Sequence, residues 1–162
     1  VWIELGLQTI HDKTLRAIRS GFTLSQFEQA VSDLQKRNIP VITHLILGLP
    51  GETKEDMLSS VRYVGSLPVT GIKLQLLHIL KETDLGTAYM ADPFPLFTLE
   101  EYCDLIADCI ALLPPEIIIH RLTGDGPRNL LLAPLWSTDK KRVLNTIQKC
   151  LRERDLWQGK NI

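Results

Sequence analysis

Three short segments hold residues whose types and spacing could do chemistry. The sharpest is His44-Leu45-Ile46-Leu47-Gly48-Leu49-Pro50-Gly51-Glu52-Thr53. It reads as a strand that ends in glycines, where backbone can approach a ligand closely. His44 and Ile46 share a strand face with Gly48. A plain strand–turn–helix with a core histidine would carry the same pattern. The second segment is Glu4-Leu5-Gly6-Leu7-Gln8-Thr9. Alternation aims Glu4 and Gln8 to the same side, and Gly6 leaves space between them. Polar groups there need partners, which a hydroxylated or amine-bearing ligand or neighbouring backbone would supply. The third is His120-Arg121-Leu122-Thr123-Gly124-Asp125-Gly126-Pro127, directly after a strand. Ligands of parallel α/β folds bind at the carboxyl ends of strands. His120, Arg121 and Asp125 there could hold an anionic or polar substrate, while Thr-Gly-Asp-Gly-Pro is also good turn chemistry.

The elements that must position these residues alternate between strand and helix periods. Residues 2–8 form a strand, with Ile3, Leu5 and Leu7 on one face and Glu4, Gly6 and Gln8 on the other. A short helix from Asp12 to Arg19 is followed by a longer one that Thr23 opens with Gln26 as a capping box. Phe27, Ala30, Val31 and Leu34 form its buried stripe. Strand 41–47 comes next, then a helix from Thr53 with Met57, Leu58, Val61 and Val64 inward, then strand 72–79. A loop of about 18 residues, rich in Asp, Gly and Pro, separates these from a helix capped by Thr98 and Glu101. Strand 116–122 and a last helix over 138–154 complete the pattern. Four strand–helix units with short connections predict a parallel α/β sheet. Its second face carries Glu4, Gln8, His44, Lys73 and Gln75. Strands covered on both faces would be apolar on both, so the pattern predicts half of a barrel with a polar inner face.

Composition narrows the class. The 162 residues are 44% apolar, enough for a core, and carry a net charge of −1, which argues against disorder and against an overall charge built for nucleic acid. Membrane-span and signal-peptide patterns are absent, and three loosely spaced cysteines suggest neither a disulfide framework nor a metal site, so a reducing cytoplasm is expected. Cys103 and Cys109, about 240° apart on one helix, cannot share a ligand. Charge is uneven: residues 120–162 hold nine Lys and Arg against four Asp and Glu, while residues 1–119 hold nine against fifteen. That basic end could hold a phosphate backbone or could be a solvated helix face. The chain starts at Val1 and enters a strand at once, which reads as a piece of a larger protein.

Taken in order, ELGLQT, HLILGLPGET, GIKLQLLH, IHRLTGDGP, LLLAPLWS and WQGK resemble the radical SAM proteins of the YhcC type, relatives of the radical SAM domain in the Elongator catalytic subunit. The resemblance covers essentially the whole chain. It implies the second half of a partial (βα)6 TIM-like barrel over residues 1–122, with parallel strands and outer helices, and a family-specific extension over 123–162. It also implies an oxidoreductase-type enzyme. S-adenosylmethionine would be its cofactor, beside a [4Fe-4S] cluster held by three cysteines of a preceding N-terminal half. None of Cys103, Cys109 and Cys150 matches those ligands, so this piece alone is expected to be inactive, with no catalytic or metal-binding residue of its own.

By position, the resemblance puts Gln8 and His44 at ribose contacts of S-adenosylmethionine and Ile46 beside the adenine, with Glu4 and Gln75 facing the same cavity. His120, Arg121 and Asp125 would flank the substrate side. Relatives read Arg-Gly-His or Arg-Gly-Tyr after the short helix, the Arg facing the cofactor carboxylate. This chain has Ser20-Gly21-Phe22, with Arg19 one place early. The resemblance suggests generation of a 5′-deoxyadenosyl radical for modification of tRNA at the wobble uridine, with Trp136 and Trp157 either stacking on the RNA or filling a core or lid role. The alternatives are radical SAM chemistry on a small metabolite and a non-catalytic α/β interaction module. Membrane association is not expected. The open edge at residues 2–8 predicts self-association or pairing with the N-terminal half.

Overall fold

The computed structural model describes residues 1–124 and 126–162. Four strands, β1 (Ile3–Gln8), β2 (Val41–Leu47), β3 (Gly71–Leu76) and β5 (Ile118–Arg121), form one parallel sheet in the order β1-β2-β3-β5. Each strand lies beside the next one in the chain, without the reversal of order that marks a doubly wound sheet. This is the barrel-like sequence of βα units expected from the alternating pattern. β1 and β5 are the two edges of the sheet.

The helices in the crossovers follow from their caps. Thr23 and Gln26 close a capping box on α2 (Leu24–Gln35), as Thr53 and Asp56 do on α3 (Lys54–Gly65) and Thr98 and Glu101 on α5 (Leu99–Ala111). Each box satisfies two backbone N–H groups that a helix start leaves open. The inward stripes of α2 and α3 are those expected, Phe27 with Val31 and Met57, Leu58 and Val61 with Val64, and α5 turns Tyr102, Leu105, Ile106 and Cys109 inward. They meet Leu7, Leu45, Leu47, Ile72, Leu74 and Leu76 from one face of the sheet in a single core. α6 (Lys140–Glu153) adds an outer layer on α5 through Val143 and Ile147.

Some expected boundaries shift. α1 spans only Asp12–Ala17, and β3 stops at Leu76. Much of the expected loop after β3 is ordered: β4 (Ile79–Leu80) pairs antiparallel with β6 (Leu131–Ala133), and α4 (Asp84–Ala91) follows. The Thr83 hydroxyl caps α4 by accepting from Gly86 N at 2.9 Å. Asp, Gly and Thr inside α4 dilute its apolar period, which hides it from a periodicity reading. Among the described residues, no helix is long and apolar enough to cross a membrane.

Candidate functional site

The face of the sheet opposite the core is polar and concave. Register sets His44 beside Lys73, and Ile46 beside Gln75. Strands lie about 4.8 Å apart, so β1 and β5 would be some ~14 Å apart in a flat sheet. Yet Lys73 Nζ on β3 reaches Glu4 Oε2 on β1 at 2.6 Å, and the Trp2 ring lies 6.3 Å from that of His120 on β5. Contacts that skip one and two strands require a sheet curved around this face.

Four side chains on it form one chain of hydrogen bonds. Lys73 donates to Glu4; His44 Nε2 lies 3.0 Å from Glu4 Oε2; Gln75 Nε2 lies 3.0 Å from His44 Nδ1. Trp2 Nε1 also donates to Glu4, at 3.4 Å. A carboxylate only accepts and an amide N–H only donates, so this wiring selects the imidazole tautomer with hydrogen on Nε2. The Lys73 bond, then the Trp2 bond, hold the Glu4 carboxyl down at about 2. Burial, and then the Lys73 charge, push His44 below its ordinary value, against the opposing pull of Glu4. Side-chain exposures of 14% for Lys73, 21% for His44 and 39% for Glu4 leave the group within reach of a ligand.

Beyond this chain, toward the carboxyl ends of β1 and β2, lies a cleft of about 660 Å³. Gln8, Arg19, Ser20, Thr83 and Asp84 bring polar groups to it, while Ile18, Ile46, Leu49, Pro50, Leu77 and Leu85 give apolar walls. Gln8 sits at a bulge with φ of +70°, pairing with Leu45 where simple alternation expects Ile46. Its amide lies over Gly6, so it keeps to the concave side despite the bulge. Gly48 turns the chain out of β2 at φ +91°, a conformation that disfavours any side chain, and a Cβ would press on the Phe97 ring. Arg19 takes part at the rim, where it pairs with Asp84 at 2.7 Å and joins the end of α1 to the start of α4.

The structure therefore brings Glu4, His44 and Gln75 into one network and puts Gln8 and Ile46 into the adjoining cleft. His120 and Arg121 lie on the far edge strand, His120 against Trp2 and Arg121 beside Lys73. Asp125 lies outside the described residues. Trp136 belongs to the core: its Nε1 donates to Phe97 O at 3.0 Å and its ring lies on Tyr102. Trp157 is exposed, under the Lys160 ammonium. The neighbouring Gln158 accounts for part of WQGK in structural terms, because its amide donates to both Pro114 O and Ile117 O.

Two participants were not singled out from the sequence. Lys73, noted there only as a face residue, joins Glu4 to the network, and strand register was its only signal. His78, just past β3, is enclosed by the loop after β5. A Cβ on Gly124 would fall 2.4 Å from its ring and one on Gly126 2.6 Å. Neither glycine has positive φ, so space for the imidazole and not backbone conformation demands them. Cys103 and Cys109 are buried, and burial raises both thiols, Cys103 to about 12. Groups of three or more metal-ligating residues are absent among the described residues.

Residues 1–64 match the family model described as the radical SAM superfamily, and residues 69–153 match the radical SAM C-terminal domain. The chain is 39% identical to the uncharacterised protein YtqA of Bacillus subtilis, over 99% of this chain and 50% of that one. It is 37% identical to protein YhcC of Escherichia coli, over 94% and 50%. Against a protein of Dehalococcoides mccartyi named tRNA uridine(34) acetyltransferase, identity is 26% over 94% of this chain and 35% of the other. The structure of the archaeal Methanocaldococcus infernus Elp3 superposes with a TM-score of 0.84 at 18% identity, covering 98% of this chain and 37% of that one. The likeness to Elp3 is one of fold. The chain spans about half the length of the first two relatives. The chain belongs to the radical SAM superfamily, as a YhcC-type relative that carries the C-terminal domain of the family.

Proposed function

We propose that this chain is the S-adenosylmethionine-binding half of a radical SAM enzyme that acts on tRNA in the cytoplasm, with residues 1–122 as the barrel half and 123–162 as an extension. The observation that carries the reading is the concave polar face. Its hydrogen-bonded Glu4, His44 and Gln75 stand beside a cleft whose lining mixes amide, hydroxyl and guanidinium groups with apolar walls. A ligand with a flat ring, a sugar and a charged tail suits that mixture. In this reading Gln8 and His44 would hold the ribose, Ile46 the adenine, and Arg19 the carboxylate end of the cofactor.

The chemistry that S-adenosylmethionine and a four-iron cluster would supply here is a 5′-deoxyadenosyl radical, released with methionine on one-electron reduction. The thiols of this chain do not fit that cluster: Cys103 and Cys109 are buried and held protonated, and Cys150 contacts Asp104. In this reading the cluster ligands would come from an N-terminal half. What this chain's own residues do is bind and orient. Glu4, fixed by Lys73, holds the imidazole of His44 in one tautomer, and Gly48 lets the backbone after β2 close over the cleft.

The tRNA part of the proposal draws on the relative named tRNA uridine(34) acetyltransferase and on the basic end of the chain. The test uses the full-length protein with its cluster rebuilt without oxygen, given reductant and S-adenosylmethionine, and assayed for 5′-deoxyadenosine. Production by the wild type and a loss of tenfold or more in His44→Ala is expected. Iron uptake without any 5′-deoxyadenosine would contradict the proposal.

A further inference from the structure

α6 breaks a rule that most of the helices keep. α1, α3, α4 and α5 place acids in their first turns: Asp12, Glu55 and Asp56, Asp84, and Glu100 and Glu101. Acids there suit the positive end of the helix dipole. α6 opens with Lys140, Lys141 and Arg142 and has no acid in its first turn. Its acid stands one place earlier, at the N-cap, where the Asp139 carboxylate accepts from Arg142 N at 3.0 Å, and the three cations that follow still oppose the dipole, so helix stability does not explain them. Further along, Lys141, Asn145, Lys149 and Arg152 recur at spacings of four, four and three, which aligns them on one exposed face. Glu153 is the sole acid within α6. The outward side of neighbouring α5 is the reverse, with Glu100 and Asp104.

This face also leads to the site. Arg128 donates to Thr138 O at 2.9 Å, tying the segment after β5 to the turn before α6. His78, Gly124, Arg128, Thr138 and Lys140 line a hollow of about 220 Å³ between them. The basic face thus begins near the carboxyl end of β3. The opposite side of α6 is committed to the core: Val143 and Ile147 are buried, and Arg154 pairs with Asp108 of α5 at 2.5 Å. Of its apolar residues Val143 and Ile147 are buried and Leu144 is exposed, and one exposed leucine does not make the continuous apolar face that a helix needs to lie in a lipid surface.

We propose that the exposed face of α6, with Arg128 at its head, is a docking surface for the phosphate backbone of RNA and leads the polynucleotide toward the strand ends. Charge complementarity selects the partner: cations interspersed with the amides of Asn145 and Gln148 offer ion pairs and hydrogen bonds to phosphate and sugar oxygens without reading sequence. The inference rests on the tRNA reading above.

The experiment compares three forms of the full-length protein for binding to unmodified tRNA across a salt series, read by fluorescence anisotropy. One is the wild type, one carries Lys141→Gln, Lys149→Gln and Arg152→Gln, and one carries Lys13→Gln, Lys36→Gln and Arg37→Gln. Both triple variants remove the same charge from exposed positions, and Gln is a good helix former. The α6 variant is expected to bind at least ~10-fold more weakly, and its slope of log affinity against log salt to be shallower by about three, roughly one for each lost contact. The α1/α2 variant should match the wild type. Equal affinity and slope for all three would overturn the docking surface and leave the tRNA reading standing. Equal loss in both variants would overturn it as well, since any surface charge would then serve. Absence of tRNA binding by the wild type would overturn both, and loss of binding to anionic vesicles in place of tRNA would reassign the face to lipid.

Discussion

On one side of the four parallel strands, Leu7, Leu45, Ile72 and Leu74 are fully shut into the core with α2, α3 and α5. On the other, Glu4, His44, Lys73 and Gln75 bond to one another across a concave surface that keeps some solvent contact. The same strands, at the same register, supply both. Burial of apolar area on the helix side is the main source of stability. The polar side gives little of that, because solvent screens an ion pair that water can reach and leaves it little net stabilisation. In the proposed reading its residues serve a ligand. The difference teaches that stability and binding are separable here, down to alternate residues of a single strand.

That separation can be broken most sharply from the apolar side. Leu74→Ala, in a central strand and wholly buried, is expected to cost about 2–5 kcal/mol in chemical denaturation. A cost under about 1 kcal/mol would mean that the core does not close on β3 as described. Gln158→Ala should cost less, about 1–3 kcal/mol, by leaving Pro114 O and Ile117 O without their donor. The same denaturation series measures it, and a neutral result would reopen WQGK to a role outside packing.

Thr43 sharpens the comparison in the opposite direction. It lies on the apolar face, fully buried, and among the described residues its hydroxyl has no hydrogen-bond partner. Thr43→Val keeps the shape and removes the orphaned hydroxyl, so a gain of up to about 1 kcal/mol is expected. A loss in the melting temperature would show that the hydroxyl has a partner after all.

The polar face should answer to pH. Because the His44 value is lowered on folding, the unfolded chain binds the extra proton first as pH falls through 6.5, and stability drops from there. The Glu4 carboxyl, held near 2, contributes stability above 4.5 that is lost as pH falls toward 2. Both groups therefore weaken the fold in acid. An NMR titration of the His44 ring should place its midpoint below 6.5, and lower still in Glu4→Gln, since the carboxylate raises it. An unchanged midpoint in Glu4→Gln would contradict the network.

Much of this was legible before any coordinates. Alternation in residues 2–8 and 41–47 separates the two faces, and the Thr-x-x-Gln, Thr-x-x-Asp and Thr-x-x-Glu boxes mark three helix starts. The sequence also grouped Glu4, His44 and Gln75 on one side. It could not show that Lys73 reaches across β2 to Glu4, because curvature and register arise only when the strands pair. Nor could it show His78 enclosed by Gly124 and Gly126, since 46 and 48 residues separate them and the glycines read equally well as turn residues. α4 was missed because its polar and glycine residues mask the apolar period. The bulge at Gln8 was hidden as well, yet the residue stays on the concave side through its fold over Gly6.

The most direct test of the account is equilibrium binding of S-adenosylmethionine to the full-length protein with its cluster in place, for the wild type, Gln8→Ala, His44→Ala and Thr43→Val. The concave face predicts binding weakened tenfold or more by Gln8→Ala and His44→Ala, with unfolding curves close to the wild type, and unchanged binding in Thr43→Val on the other face. Wild-type affinity in both Gln8→Ala and His44→Ala would contradict it, and would put the cofactor elsewhere than on the open side of this sheet.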